Sequence, residues 1–234
     1  KSLGVDFACG RRLTTKRRKA QHMRFNKALR RMKRLLALRR VQPDALRVFN
    51  AGLVPAMAYG ADVTGMPPAL VKRMRVAAGA LGPSRAQGRS LGLALMLQGD
   101  PAENVVGSPV VRWAKELWNA SHFPEAGALP HHQLQEAWAA VLDAAPTATW
   151  DVVRGPISAM RASLHYAGWA NPKPRLFVTD LGVELNVTLN SPARIHKAFA
   201  ESVQRLAHTS AAAKLQDDSL IDGIWTRPLK TLLK

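Results

Sequence analysis

The 234-residue chain has one cysteine, Cys9. That excludes an intramolecular disulfide and a zinc site built from a cysteine cluster. No apolar run approaches the length of about 18 residues that would suggest a membrane-spanning helix, and no apolar core of a signal peptide lies near the start. Signs of catalysis are equally scarce. Asp217-Asp218 is the one adjacent acidic pair, and it sits in a polar connector between Lys214 and Ser219. His131 and His132 are neighbours, so on a helix they point about 100° apart, whereas a useful metal pair sits four residues apart. His165 and His196 have no His or Cys nearby in sequence. There is no glycine-rich phosphate loop and no G-x-S-x-G elbow. The sequence therefore offers no catalytic residue, no metal ligand set and no cofactor site.

Acid is missing where base is abundant. Between Phe7 and Pro43 there is no Asp or Glu, but there are 14 basic residues: Arg11, Arg12, Lys16, Arg17, Arg18, Lys19, Arg24, Lys27, Arg30, Arg31, Lys33, Arg34, Arg39 and Arg40. The chain as a whole carries 34 basic and 16 acidic residues, a net charge of +18, so everything outside this stretch is close to balanced. Charge concentrated in this way marks a surface that meets a polyanion. Much of it is Arg, whose forked guanidinium fits phosphate.

Within the stretch, Phe25, Leu29, Met32 and Leu36 recur at helical spacing. A helix from about Thr15 to Arg40 would be about 39 Å long. Six like-charged pairs three or four residues apart, such as Lys27–Arg31 and Arg30–Arg34, would cost it about 1–3 kcal/mol. That is a sizeable share of a marginal folding free energy, and a bound phosphate backbone would turn the cost into attraction. The same stripe, with Leu35, also permits a membrane-surface or calmodulin-target segment. The density of Arg favours phosphates, so nucleic acid is the expected partner and a membrane is not.

Along the rest of the chain, Leu3, Val5 and Phe7 alternate as in a short strand. After Pro43, Leu46, Phe49, Leu53 and Met57 predict a second helix ending near Tyr59-Gly60, and Leu70, Met74, Ala77 and Leu81 a third. Only Leu91–Leu97 is apolar enough to be buried between 83 and 108. Helices are expected after Pro109 (Val110, Trp113, Leu117), around Leu134, Trp138 and Val141, and after Gly155-Pro156 (Ile157, Met160, Leu164), the last capped by Gly168. Leu176–Val178 and the alternation Val183, Leu185, Val187, Leu189 predict a strand or hairpin. Ser191-Pro192 opens a final helix with Ile195, Phe199, Ser202 and Leu206 on its stripe. Trp113 and Trp138 lie on such stripes and are expected in the core. The predicted class is mainly α: a short N-terminal strand, a basic helical bundle over 1–82, then a helical region over 83–234 with short strands around 175–189.

The order of the first 82 residues resembles the end of a non-LTR (LINE-type) retrotransposon reverse transcriptase. Lys1-Ser2-Leu3-Gly4-Val5 is similar to the K-x-LGV segment that follows the catalytic aspartate hairpin of those enzymes. The basic helix and the phrase Ala51–Asp62, with Tyr59-Gly60, resemble their helical thumb, and Arg73 and Arg75 fall on the helix that follows. Residues 83–234 more loosely resemble the connector beyond the thumb. The resemblance implies a thumb and connector that grip an RNA–DNA or RNA duplex by its backbone, partnered by an upstream palm and fingers of the same polypeptide. It implies a nuclear location, or a cytoplasmic ribonucleoprotein. The resemblance places the polymerase aspartates before Lys1 and implies a fragment of an RNA-directed DNA polymerase with no catalytic site of its own. Asp180, at the end of an apolar run, resembles the first metal ligand of a ribonuclease H fold, but the later carboxylates Glu184, Glu201, Asp217, Asp218 and Asp222 are wrongly spaced for it. The alternative is a free-standing basic nucleic-acid-binding adaptor whose two parts fold separately.

Overall fold

A computed structural model of the protein describes residues 19–42, 44–82, 90–123, 130–144 and 147–215. The predicted strand through Phe7, Cys9, Asp217-Asp218 and the basic residues Arg11, Arg12, Lys16, Arg17 and Arg18 lie outside that set. The described chain is mainly helical, with one small antiparallel sheet.

The basic stretch forms two helices rather than one, α1 (Lys19–Arg30) and α2 (Met32–Leu38), joined at Arg31. The amide of Arg31 donates to the Ala28 carbonyl, a tight turn that keeps Met32 and Leu35 facing inward. The buried stripe is therefore Phe25, Ala28, Met32 and Leu35, while Leu36 is exposed. The second predicted helix is present as α3 (Ala45–Val48), a wide π-turn over Phe49–Leu53, and α4 (Val54–Ala58). The widening falls just before Pro55, which has no amide proton and whose ring would crowd the carbonyl four residues back. Gly60, in the left-handed region, turns the chain into the short α5 (Ala61–Thr64), and α6 (Pro68–Leu81) follows.

Beyond these, α7 (Leu91–Gln98) leads to the 22-residue α8 (Pro101–His122). Sequence periodicity predicts α8 to begin at Pro109; it begins two turns earlier. Asp100 caps it by accepting from the Ala102 amide at 2.9 Å, with Pro101 in the first turn. Pro109 sits inside, and the carbonyl of Val105 that it cannot serve is taken by the Ser108 hydroxyl at 2.8 Å. Helices α9 (His131–Ala144) and α10 (Pro156–Tyr166) follow. Three antiparallel strands come next: β1 (Ala170–Lys173), β2 (Leu176–Val178) and β3 (Glu184–Asn186), in that order, with Phe177 opposite Leu185. The last described helix is α11 (Pro192–Leu215); its buried stripe is Ile195, Phe199, Ser202 and Val203, with Leu206 turned out to solvent.

Helix α8 is the hub. It packs against α5, α6, α10 and α11, and its Val106, Val110, Ala114 and Leu117 are buried. Trp113 and Trp138 pair in the core at 6.1 Å between ring centres, and the Trp113 indole donates to the Pro174 carbonyl. One continuous set of buried side chains runs from Phe25 to Val203. The basic helices are thus a wall of the same core that holds the sheet, with α1 lying on α4 and α2 on α3 and α6.

Candidate nucleic-acid interface

Helix α1 buries Phe25 and Ala28 against the body, and the geometry of a helix then decides where its cations go. Arg24, Lys27 and Arg31 are three and four residues apart, so they share one flank of the buried stripe. Across from them, α4 ends at Ala58 and the chain turns at Gly60, leaving Tyr59 at the corner. Together Arg24, Lys27, Arg31, Ala28, Ala56 and Tyr59 line an open groove of about 430 Å³. The Arg24 guanidinium lies 4.9 Å from the centre of the Tyr59 ring, a cation–π contact, and its Nη1 reaches the Tyr59 carbonyl at 3.5 Å. Tyr59 is still 50% exposed.

The other basic residues divide by position. Arg30, Lys33, Arg34 and Arg40 are exposed and outside the groove. Arg73, on α6, reaches the opposite flank of α1. It lies 5.1 Å from the Phe25 ring centre and donates to Asn26 Oδ1 at 3.0 Å. Arg75 faces away from α1: its Nε is 2.7 Å from Asp100 Oδ2, an ion pair too bent for a hydrogen bond. The structure thus brings Arg24, Lys27 and Arg31 together, keeps Arg73 nearby and sets Arg75 apart. Lys19 opens α1. Arg11, Arg12, Lys16, Arg17 and Arg18 lie outside the described residues.

Arg39 behaves differently. It turns inward and donates to the carbonyls of Ala80 and Gly82, the first at 2.6 Å. These are terminal carbonyls at the end of α6, where a cation complements the helix dipole. One of the basic residues is therefore part of the fold.

Neither charge nor spacing in the sequence marks Tyr59 or Ala56 as a site residue. A signal existed for Tyr59: it is an aromatic residue off the 46/49/53/57 stripe, directly before a glycine. Its partnership with α1 is tertiary and has no sequence signature.

Asp180 is engaged structurally. Its carboxylate accepts from Arg205 Nε at 2.8 Å and Nη2 at 2.7 Å, and from the Ser202 hydroxyl at 2.5 Å. Ser202 in turn accepts from the Trp169 indole at 2.8 Å. The Arg205 hydrogen bonds hold the Asp180 carboxyl below its ordinary range against the opposing effect of burial, and Asp180 raises Arg205. Burial raises the Tyr166 hydroxyl, with Asp100 adding to this and Arg75 opposing it. Among the described residues, no three His, Cys, Asp or Glu side chains converge to hold a metal, and no helix is long and apolar enough to cross a membrane. His196 contacts Asn104 at 3.1 Å.

In comparisons with protein-family models, curated proteins and solved structures, nothing matches this chain.

Proposed function

We propose that this chain binds the phosphate backbone of a nucleic-acid duplex, as the thumb and connector portion of a non-LTR retrotransposon reverse transcriptase whose palm and fingers lie elsewhere on the polypeptide. A nuclear site of action goes with that proposal. The observation that carries it is the groove in which Arg24, Lys27 and Arg31 stand in a row on a wall fixed by Phe25 and Ala28. Cations spaced along a helix that the core holds in place can meet successive phosphates, which positions a duplex without reading its sequence. The continuous core from Phe25 to Val203 supports a single gripping body over the alternative of a basic adaptor with separately folding halves.

Salt titration tests the proposal. Anisotropy of a labelled RNA–DNA duplex, followed from about 50 to 200 mM salt, should give a log–log affinity slope of about −4 to −7, as for about 5–8 neutralised phosphates. Affinity should depend little on sequence. A slope near −1, or no duplex binding at low salt, overturns it.

A further inference from the structure

We propose that the groove takes an unpaired nucleotide: its base extends the Arg24–Tyr59 stack, and its phosphates meet Lys27 and Arg31. This rests on the backbone-binding reading and narrows its ligand to a duplex with a single-stranded overhang, or to a single strand. Three observations carry it. First, a surface that meets only phosphates needs no aromatic residue, yet Tyr59 is held at the groove corner with half its surface in solvent. Second, the guanidinium of Arg24 already sits over that ring, 4.9 Å from its centre, and an Arg plane and an aromatic ring are the two surfaces on which splayed bases stack. Third, the groove is lined between its cations by Ala28 and Ala56, small enough for a flat ring to approach, and its volume of about 430 Å³ suits one nucleotide rather than a duplex turn. Lys27 and Arg31 are one helical turn apart, within reach of the phosphates on either side of that nucleotide.

The test compares three probes on the full chain: a blunt RNA–DNA duplex, the same duplex with a short single-stranded overhang, and the overhang sequence alone, each carrying 2-aminopurine at the strand end. The overhang duplex should bind about tenfold more tightly than the blunt one, in line with one stacked base, and 2-aminopurine fluorescence should change on binding. Tyr59→Leu should abolish the preference, bringing the ratio of overhang to blunt affinity to about one; Tyr59→Phe and Tyr59→Trp should keep the preference. Equal affinity of wild type for blunt and overhang probes overturns the inference but not backbone binding, as does a preference that survives Tyr59→Leu. Failure of all three probes to bind overturns both. Displacement of the overhang probe by poly-glutamate as readily as by unlabelled oligonucleotide assigns the groove to acidic proteins and overturns the inference too.

Discussion

Arg205 grips Asp180 with two hydrogen bonds, Nε to Oδ2 at 2.8 Å and Nη2 to Oδ1 at 2.7 Å, and so ties the turn after β2 to the middle of α11. Ser202 and Trp169 complete the network from beneath. The pair is partly solvated, so its contribution is modest, about 1 kcal/mol. Its pH dependence has a definite sign. The folded state holds Asp180 below the carboxyl's ordinary value, so the stabilisation is fully present above about pH 4 and is lost as pH falls through the lowered value. Urea midpoints of wild type and Asp180→Asn should differ at pH 7, and the difference should shrink as pH falls below the ordinary carboxyl value of about 4. A constant difference down to pH 2 would show that the charge is not what matters.

Arg39 on the end of α6 predicts a different dissociation of effects. Arg39→Met keeps the apolar stem and removes the donors to Ala80 and Gly82. Stability should fall by about 0.5–1.5 kcal/mol. The salt slope of duplex binding should stay unchanged, because this guanidinium faces the protein. A slope shallower by about one would instead place Arg39 on a phosphate.

Gly65 is where three parts of the chain meet, and its substitution should be severe. Its φ is +67°, its carbonyl accepts from the buried Gln21 amide at 2.7 Å, and a Cβ there would run into the Trp150 indole. Gly65→Ala combines backbone strain with overpacking, for an expected loss of about 2–4 kcal/mol. Pairing it with Trp150→Leu should recover the overpacking share and leave the strain. No recovery in that double variant would mean the indole does not limit the site.

What could be read from sequence was what local spacing controls. The stripe of Leu70, Met74, Ala77 and Leu81, the helix over Ile157–Leu164 and the alternation around Leu185 all reappear as elements, because a buried face imposes its period on one short segment. What was missed depended on distant partners or on backbone exceptions. Pro109 reads as a start signal, yet it is housed inside α8 because Ser108 serves the orphaned carbonyl. Strand β1, Ala170-Asn171-Pro172-Lys173, has no apolar alternation at all; it is a mostly exposed edge that only its pairing to β2 defines. The basic run announced itself by charge, but which cations would share a groove was set by α4 and Tyr59 across from α1. Arg39 and Arg75 were drawn into protein contacts that no charge count could reveal.

The decisive comparison for the groove holds charge constant and varies geometry. Arg24→Gln, Lys27→Gln and Arg31→Gln together remove three cations from the groove; Arg30→Gln, Lys33→Gln and Arg40→Gln remove three from exposed positions outside it. Both triple variants lower the net charge equally, so a diffuse electrostatic field would lose the same affinity in each. If successive phosphates are held by the groove, the first triple should lose about 100-fold at 100 mM salt and its log–log slope should become shallower by about two to three. The second should lose less than about tenfold, with a slope change below one. The first triple also gives up the Arg24–Tyr59 contact, at about 0.5–1 kcal/mol, so circular dichroism and a urea midpoint must accompany the binding curves. With folding intact, equal losses in the two variants would dissolve the groove into a general basic surface, and a larger loss in the second would move the interface to the far face of α1 and α2.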